Sequence, residues 1–267
     1  MRVLDLFSGI GGFSLGLEAA GMRTVQFVEI DPFCRAVLAK HWPQVPCHDN
    51  IRTFQMYYGD VDVICGGPPC QPASRAGKQQ GTADDRWLWP ETIRIVSAVR
   101  PRWILFENPL GLYDVGIATV LSPLETLGYA NTSMGTIEPF EIPACALGSW
   151  HRRDRIWILA YDATVQRQEI VWGESNGALS KNGLTADLAS SRWSTNVQHE
   201  QETARDTTAR QSFGSFPAIA RQWSAEPGVV RVVHGIPNRV DRIAALGNAV
   251  VPQIVEILGR SIMMAAW

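Results

Sequence analysis

The sequence lacks the features that would assign its 267 residues to a membrane-spanning, secreted or disulfide-stapled class of protein. No apolar run approaches the roughly 20 residues that a bilayer-spanning helix needs. Asp5 and several glycines interrupt the apolar N-terminus, which argues against a signal peptide. The five cysteines are odd in number and include no CxxC pair, so we expect neither a disulfide framework nor a metal site. These absences predict a cytoplasmic protein that has no membrane contact.

An excess of charge of one sign is also absent. The formal net charge is −2, so bulk charge gives no basic footprint of the kind that nucleic-acid-binding proteins usually show. A local basic face is still available, because one short run contains His151, Arg152, Arg153 and Arg155. Hydrophobic residues make up 46% of the chain and charged residues 19%, which is ordinary for a globular protein with a core.

Short apolar strands alternate with helical stretches over the first 160 residues. The pattern predicts strands at 3–6, 24–29, 62–65, 103–106 and 156–160, with helices at 13–20 and 89–99. Such alternation is typical of an α/β fold with a doubly wound, mostly parallel sheet. Helical spacing returns from 250 to 264, whereas residues 163–228 are polar and have weak periodicity. We therefore predict a core domain of residues 1–160 plus 235–267 and a small irregular insert at 161–234.

A glycine-rich turn follows the first predicted strand, in the run DLFSGIGGF from Asp5 to Phe13. Glycine lets the backbone approach a ligand closely, and a helix N-terminus offers free N–H donors. Glu29 ends the second strand 20 residues after Gly9, the interval at which dinucleotide-binding folds place an acid on the ribose hydroxyls. The pattern predicts a ligand with a ribose, either NAD or S-adenosylmethionine, and the incomplete GxGxxG disfavours a dinucleotide.

A second group of residues has the composition of a reactive centre. Cys70 lies on a proline-stiffened loop, GGPPCQP, that follows a strand, and its thiolate would be a strong nucleophile. Glu107 ends an apolar strand, where burial would raise the pKa of its carboxyl. Arg153 and Arg155 alternate into the last strand, so we expect them on one face. Open α/β sheets place their chemistry at the carboxyl ends of strands, where these loops would meet.

These motifs together resemble those of the cytosine-5 DNA methyltransferase family. DLFSGIGGF looks like the family's cofactor motif, and GGPPCQP looks like its nucleophile loop. ENP is similar to the ENV motif with Pro109 replacing valine, and HRRDR is similar to QxRxR with His151 replacing glutamine. ALGNAVVP, at 245–252, looks like the last motif, and all five occur in the family's order.

The resemblance implies a Rossmann-like DNA (cytosine-5-)-methyltransferase that depends on S-adenosyl-L-methionine and acts on a cytosine flipped out of double-stranded DNA. Cys70 would attack carbon 6, Glu107 would hold ring nitrogen 3 and supply a proton, and Arg153 and Arg155 would steady the base. The implied cofactor-binding residues include Glu29 for the ribose, Ile30 for the adenine ring and Asp49 for the adenine amino group. The others are Phe7, Gly9, Ile10, Gly11, Gly12, Pro69, Leu88, Asn248 and Val250.

The insert at 161–234 would be the target recognition domain of such an enzyme. By residue type its candidate DNA contacts are Trp172, Arg192, Trp193, Arg205, Arg210, Arg221 and Trp223. The resemblance also implies a monomer that serves restriction–modification, with a cognate restriction endonuclease as partner, or phage self-protection.

Three alternatives stay open at this level. The first is an RNA cytosine-5 methyltransferase with the same motifs, although the long polar insert favours DNA. The second is an inactive relative that only binds nucleic acid or cofactor, which the presence of Cys70, Glu107 and both arginines disfavours. The third is a Rossmann-type oxidoreductase, which PPCQP and ENP together disfavour.

Overall fold

The computed structural model describes residues 1–69, 87–149, 152–164 and 238–266. The strands are β1 (Arg2–Leu6), β2 (Arg23–Val28), β3 (Cys47–His48), β4 (Val63–Gly66), β5 (Trp103–Pro109), β6 (Tyr129–Ala130), β7 (Phe140–Glu141) and β8 (Arg155–Asp162). The α-helices are α1 (Gly12–Ala19), α2 (Pro32–His41), α3 (Trp89–Val99), α4 (Leu112–Val115), α5 (Ala118–Thr126), α6 (Arg239–Asn248) and α7 (Pro252–Ala265). A 3₁₀ turn spans Ala144–Leu147.

The described strands form one mixed sheet in the order β3-β2-β1-β4-β5-β8-β6, and β7 pairs with β8. Every pairing from β3 to β5 is parallel, whereas β8 runs antiparallel to β5, β6 and β7. The predicted α/β class and the mostly parallel sheet are therefore confirmed. Parallel pairing brings the carboxyl ends of β1, β2, β4 and β5 to one edge of the sheet.

Alternate residues of the central strands face two separate cores, which is why helices cover both faces of the sheet. On one face Val3 and Val63 pack with Leu17 of α1 and Val255 of α7. The other face carries Leu4, Ile64, Ile104 and Phe106, which pack with side chains of α3 and α5. Successive side chains of a strand point to opposite faces, and nearly all of them are apolar in these strands. Both faces of the sheet therefore need a covering layer of helices, which is the doubly wound arrangement.

The observed elements extend or add to the predicted ones in several places. β5 continues through Glu107 to Pro109, and β8 continues to Asp162, two residues past the predicted boundary of the core at 160. α2 was not predicted; the Asp31 side chain caps it by accepting a hydrogen bond from the backbone N–H of Cys34 at 2.9 Å. The two-residue β3 was not predicted either, because it is too short to show a period. α6 was also not predicted, although its apolar residues Val240, Ile243 and Leu246 lie three residues apart.

One helical stretch within the described ranges, Arg239–Ala265, is long and apolar enough to cross a membrane by length and composition alone. It comprises two helices, α6 and α7, with Pro252 opening the second. Ile254, Val255, Leu258 and Ile262 of α7 are buried in the core against α1. The α7 part of the stretch is therefore a core element, whereas α6 buries only Ala245.

Candidate active site

The turn between β1 and α1 has the backbone conformation that its glycines predict. Gly9 and Gly11 have φ values of 53° and 86°, in the left-handed region that glycine adopts without a steric penalty. A Cβ at Gly11 would lie 2.6 Å from the ring of Trp42, so the turn packs directly on that indole. A Cβ at Gly9 would meet no atom within 4 Å, which leaves open space beside the turn.

Glu29 lies at the carboxyl end of β2 and fastens the turn to it. Its side chain is buried, and its two oxygens accept hydrogen bonds from the backbone N–H groups of Gly9, at 2.7 Å, and Asp31, at 2.8 Å. Each carboxylate oxygen has a second lone pair, so the group can still accept from a ligand hydroxyl. The following residue, Ile30, is 73% exposed, which gives an apolar surface beside a buried acid.

The remaining cofactor candidates at this edge differ in exposure. Asp49 is exposed and forms an ion pair with Arg35, with 3.5 Å between Oδ2 and the guanidinium. Leu88 immediately precedes α3 and packs partly on the core, and Pro69 is half-buried after β4. Phe7 has a φ of 53°, so the left-handed backbone begins before the first glycine.

The C-terminal motif meets the turn across a cleft of about 290 Å³. Ile10, Gly11 and Gly12 line one side, and Val250 lines the other. A Cβ at Gly12 would lie 2.8 Å from a methyl group of Val250, so the two segments are in close contact. Asn248 ends α6 and is exposed. Six further residues line the cleft without having been predicted, and four of them lie inside the motif at 245–252: they are Leu15, Leu246, Ala249, Val251, Pro252 and Gln253.

Glu107 and Arg155 form a buried ion pair on the neighbouring strands β5 and β8. The distance from Arg155 Nε to Glu107 Oε1 is 2.9 Å, and the side chains are 21% and 10% exposed respectively. Burial raises the pKa of the Glu107 carboxyl, and the nearby charges of Arg155 and Arg153 oppose that rise. A Cβ at Gly67 would lie 3.8 Å from Glu107 Oε2, so the segment that follows β4 passes beside the carboxyl.

Arg153 does not share this pairing, although the alternation of the two arginines predicts one common face. It precedes β8 with a φ of 43°, and its guanidinium donates to the carbonyl oxygens of Gly247 and Ala249, each at 2.8 Å. Burial, together with the neighbouring charge of Arg155, lowers the pKa of Arg153, whereas Glu107 opposes the shift.

A further buried acid, Asp5, stands below the turn and was not anticipated as a titrating group. The Ser14 hydroxyl donates to Asp5 Oδ2 at 2.7 Å, which ties β1 to α1. Full burial raises the pKa of the Asp5 carboxyl to about 8, against the hydrogen bonds from Ser14. The sequence contains a signal for this burial, because Asp5 is the one acid within the apolar run Val3–Leu6 that leads into the glycine turn.

Several predicted residues lie outside the described ranges, namely Cys70, His151 and every candidate DNA contact between 172 and 223. The insert predicted at 161–234 is described only as far as residue 164. Among the residues that the structure describes, no cluster of three or more His, Cys, Asp or Glu side chains could hold a metal ion.

Comparison with known proteins identifies the family to which these residues belong. The family model for C-5 cytosine-specific DNA methylase matches residues 1–226. Type II methyltransferase M.HgiCII of Herpetosiphon aurantiacus is 37% identical over 166 residues, which cover 59% of this chain and 36% of that protein. Type II methyltransferase M.NgoMIV of Neisseria gonorrhoeae is 41% identical over 113 residues, covering 42% of this chain and 36% of that protein. The chain thus spans little more than a third of the length of these curated relatives.

The likeness to solved structures concerns the fold. The S. pombe Dnmt2 methyltransferase superimposes with a TM-score of 0.50 at 22% identity, over 66% of this chain and 57% of that chain. At this identity, the superposition supports the arrangement of the sheet and helices alone.

Proposed function

Because the chain belongs to the C-5 cytosine-specific DNA methylase family, we propose that it methylates carbon 5 of a cytosine in duplex DNA with S-adenosylmethionine as donor. The geometric observation that carries the proposal is the buried pair of Glu107 and Arg155, which lies beside the segment leading from β4 to Cys70. A carboxyl with a raised pKa, held by a guanidinium, is suited to donate a proton to a ring nitrogen.

The residues around the glycine turn fit S-adenosylmethionine. Glu29 offers a buried carboxylate for the ribose hydroxyls, Ile30 offers an exposed apolar surface for the adenine, and the space beside Gly9 is open. Asp49, Pro69, Leu88, Asn248 and Val250 would complete the binding site. When bound, the cofactor supplies an electrophilic methyl group on a sulfonium. Glu29 and the turn would orient it, and the C-terminal motif would help to exclude water.

The protein's own residues would carry the remaining chemistry on a base extruded from the duplex. The Cys70 thiolate forms a bond to carbon 6, and Glu107 donates a proton to ring nitrogen 3, so that electron density reaches carbon 5. Arg155 would keep the Glu107 carboxyl in place and hold the edge of the base. After carbon 5 is methylated, its proton passes to a base such as solvent water, and the bond from sulfur to carbon 6 breaks to regenerate the free thiolate. Ring nitrogen 3 returns its proton to the Glu107 carboxylate, which completes the cycle.

The insert at 161–234 would be the target recognition domain, and the core would comprise 1–160 and 235–267. The relatives compared above are named type II methyltransferases, which supports a role in restriction–modification with a cognate endonuclease, or in phage self-protection. We further propose a monomeric, cytoplasmic protein, since the chemistry needs only one set of these residues.

Trapping with 5-fluorocytosine tests the reaction and the nucleophile together. The protein is incubated with radiolabelled S-adenosylmethionine and long mixed-sequence duplex DNA that contains 5-fluorocytosine throughout. Fluorine cannot be eliminated from carbon 5, so an active enzyme should remain attached to the DNA in denaturant. We expect Cys70→Ser to abolish this labelled adduct, and Cys145→Ser, which alters an exposed thiol elsewhere, to retain it.

The other outcomes distinguish the alternatives. An adduct that forms only on fluorinated RNA would favour the RNA methyltransferase. Absence of an adduct on either nucleic acid, with S-adenosylmethionine still bound, would indicate an inactive binder. An adduct that persists in Cys70→Ser would refute the assignment of the nucleophile.

A further inference from the structure

Arg153 and its neighbour Arg155 bind different parts of the molecule. Arg155 pairs with the carboxylate of Glu107 at 2.9 Å. Arg153 instead donates from its two terminal nitrogens to the carbonyl oxygens of Gly247 and Ala249, 94 and 96 residues further along the chain. The same short segment therefore holds both the candidate catalytic acid and the C-terminal motif.

Gly247 lies in the last turn of α6, where the helix has carbonyls without intrahelical partners and the negative end of its dipole, and Ala249 is the extended residue that follows the helix. A guanidinium is suited to this position because it is cationic and presents its donors in a rigid fork. The fork can bind two carbonyl oxygens at once and so fix their spacing. A lysine could neutralise the helix end but could not hold both groups in that geometry.

The bound carbonyls lie directly beside the cofactor candidates of this motif. They flank Asn248, and Val250 follows, with its carbonyl oxygen 3.0 Å from the position of a Cβ at Gly12. Arg153 itself lines the cleft between the glycine turn and the C-terminal motif. A movement of Gly247 or Ala249 would consequently displace one wall of that cleft.

The backbone of Arg153 supports a specific role for this contact. Its φ of 43° lies in the left-handed region, which residues other than glycine, asparagine and aspartate rarely adopt. Such conformations persist where the surrounding structure holds them, and they concentrate at functional sites.

We infer that Arg153 is a positioning residue that fixes the end of α6, and with it the Ala249–Val250 wall of the cleft, relative to the Glu107–Arg155 pair. This inference rests on the proposed function in so far as the cleft receives S-adenosylmethionine. It differs from the base-holding role that the family resemblance implies for Arg153, since two of its donors are used on protein carbonyls.

Two measurements on the full chain test the inference, one of which needs no cofactor. Hydrogen exchange is followed in peptides covering 245–255, which include the Ala249 amide bonded to Ala245. Binding of S-adenosylhomocysteine without DNA is measured by calorimetry. The variants are Arg153→Ala and Arg153→Lys, with Arg152→Ala as the matched control, because the exposed Arg152 side chain pairs with Asp154 instead. Melting temperatures show that each variant is folded, and the milder Arg153→Lys serves if Arg153→Ala is not.

We expect both Arg153 variants to exchange faster over 245–255 and to bind S-adenosylhomocysteine about ten-fold or more weakly, as for the loss of charge-assisted hydrogen bonds. Arg152→Ala should match the wild type in both measurements. Unchanged exchange in the Arg153 variants would overturn the inference, and so would faster exchange with unchanged affinity. If the wild type itself fails to bind S-adenosylhomocysteine, the proposed function fails, while the exchange result still decides whether Arg153 holds the C-terminal motif.

Discussion

Replacing Asp5 with asparagine should remove a pH dependence from the stability of this protein. Asp5 is fully buried in β1, and the Ser14 hydroxyl donates to one of its oxygens at 2.7 Å. Its other oxygen has no hydrogen-bond partner in the described structure. Burial raises the pKa of this carboxyl from 3.8 to about 8, so we expect the native protein to carry a neutral acid here at pH 7.

The sign and size of the effect follow from proton linkage. A folded-state pKa above the unfolded value means that the native state binds an extra proton between the two values, so stability falls as the pH rises. The contribution is fully present below about pH 4 and is lost as the pH rises through about 8. Linkage at 1.36 kcal/mol per pKa unit gives a loss of about 2 kcal/mol between about pH 6 and pH 8 from this group alone.

Urea unfolding followed by tryptophan fluorescence, at a series of pH values from about 6 to 9, measures the difference. Asp5→Asn mimics the protonated acid and cannot ionise, so its free energy of unfolding should lack this slope. Other titrating groups, Glu107 among them, are common to both proteins and cancel in the comparison. The exposed acid Asp114, changed to asparagine, is the control and should keep the wild-type slope. Parallel curves for the wild type and Asp5→Asn would refute the reasoning, because Asp5 would then be ionised in the native state.

Two further changes test the cofactor site and the anchoring of β8. Glu29→Ala should weaken binding of S-adenosylhomocysteine in calorimetry far more than binding of DNA, and an unchanged cofactor affinity would place the ribose elsewhere. Arg100→Met should lower the free energy of unfolding by about 3 kcal/mol, because it leaves the buried Asp162 carboxylate without its 2.7 Å ion pair. The pair of Arg260 with Glu256 supplies the control: its arginine is half exposed, so Arg260→Met should cost less than about 1 kcal/mol in the same urea titration.

The sequence predicted the central sheet well because each long strand buries both of its faces. Continuous apolar runs such as 103–106 cannot be accommodated in a solvent-facing element, and the glycine turn after β1 has few conformations available to it. The helix at Trp89–Val99 was predicted with the observed bounds, since its apolar period and its terminal proline agree. The local sequence pattern was sufficient to predict an element wherever the burial of that element's own side chains determines its conformation.

The elements that were missed are those whose stability comes from partners distant in sequence. β3 has only two residues, Cys47 and His48, and it forms because its backbone pairs with the end of β2. α6 leaves its apolar side chains at Val240, Ile243 and Leu246 exposed, so burial in the core does not account for its conformation. In such cases tertiary contacts override weak local preferences, and a single sequence carries little trace of them.

The two arginines of HRRDR show how the same limit applies to function. Residue type and spacing were enough to place a cationic pair near Glu107, and Arg155 does bind that carboxylate. Spacing alone could not indicate that Arg153, two residues earlier, turns through a left-handed backbone to reach carbonyls 94 and 96 residues away. That contact depends on α7 packing against α1, which brings the end of α6 to the mouth of the glycine turn. The residue types that carry the chemistry of the candidate site can therefore be recognised in the sequence. The contacts that position them form only when the C-terminal helices pack beside the glycine turn.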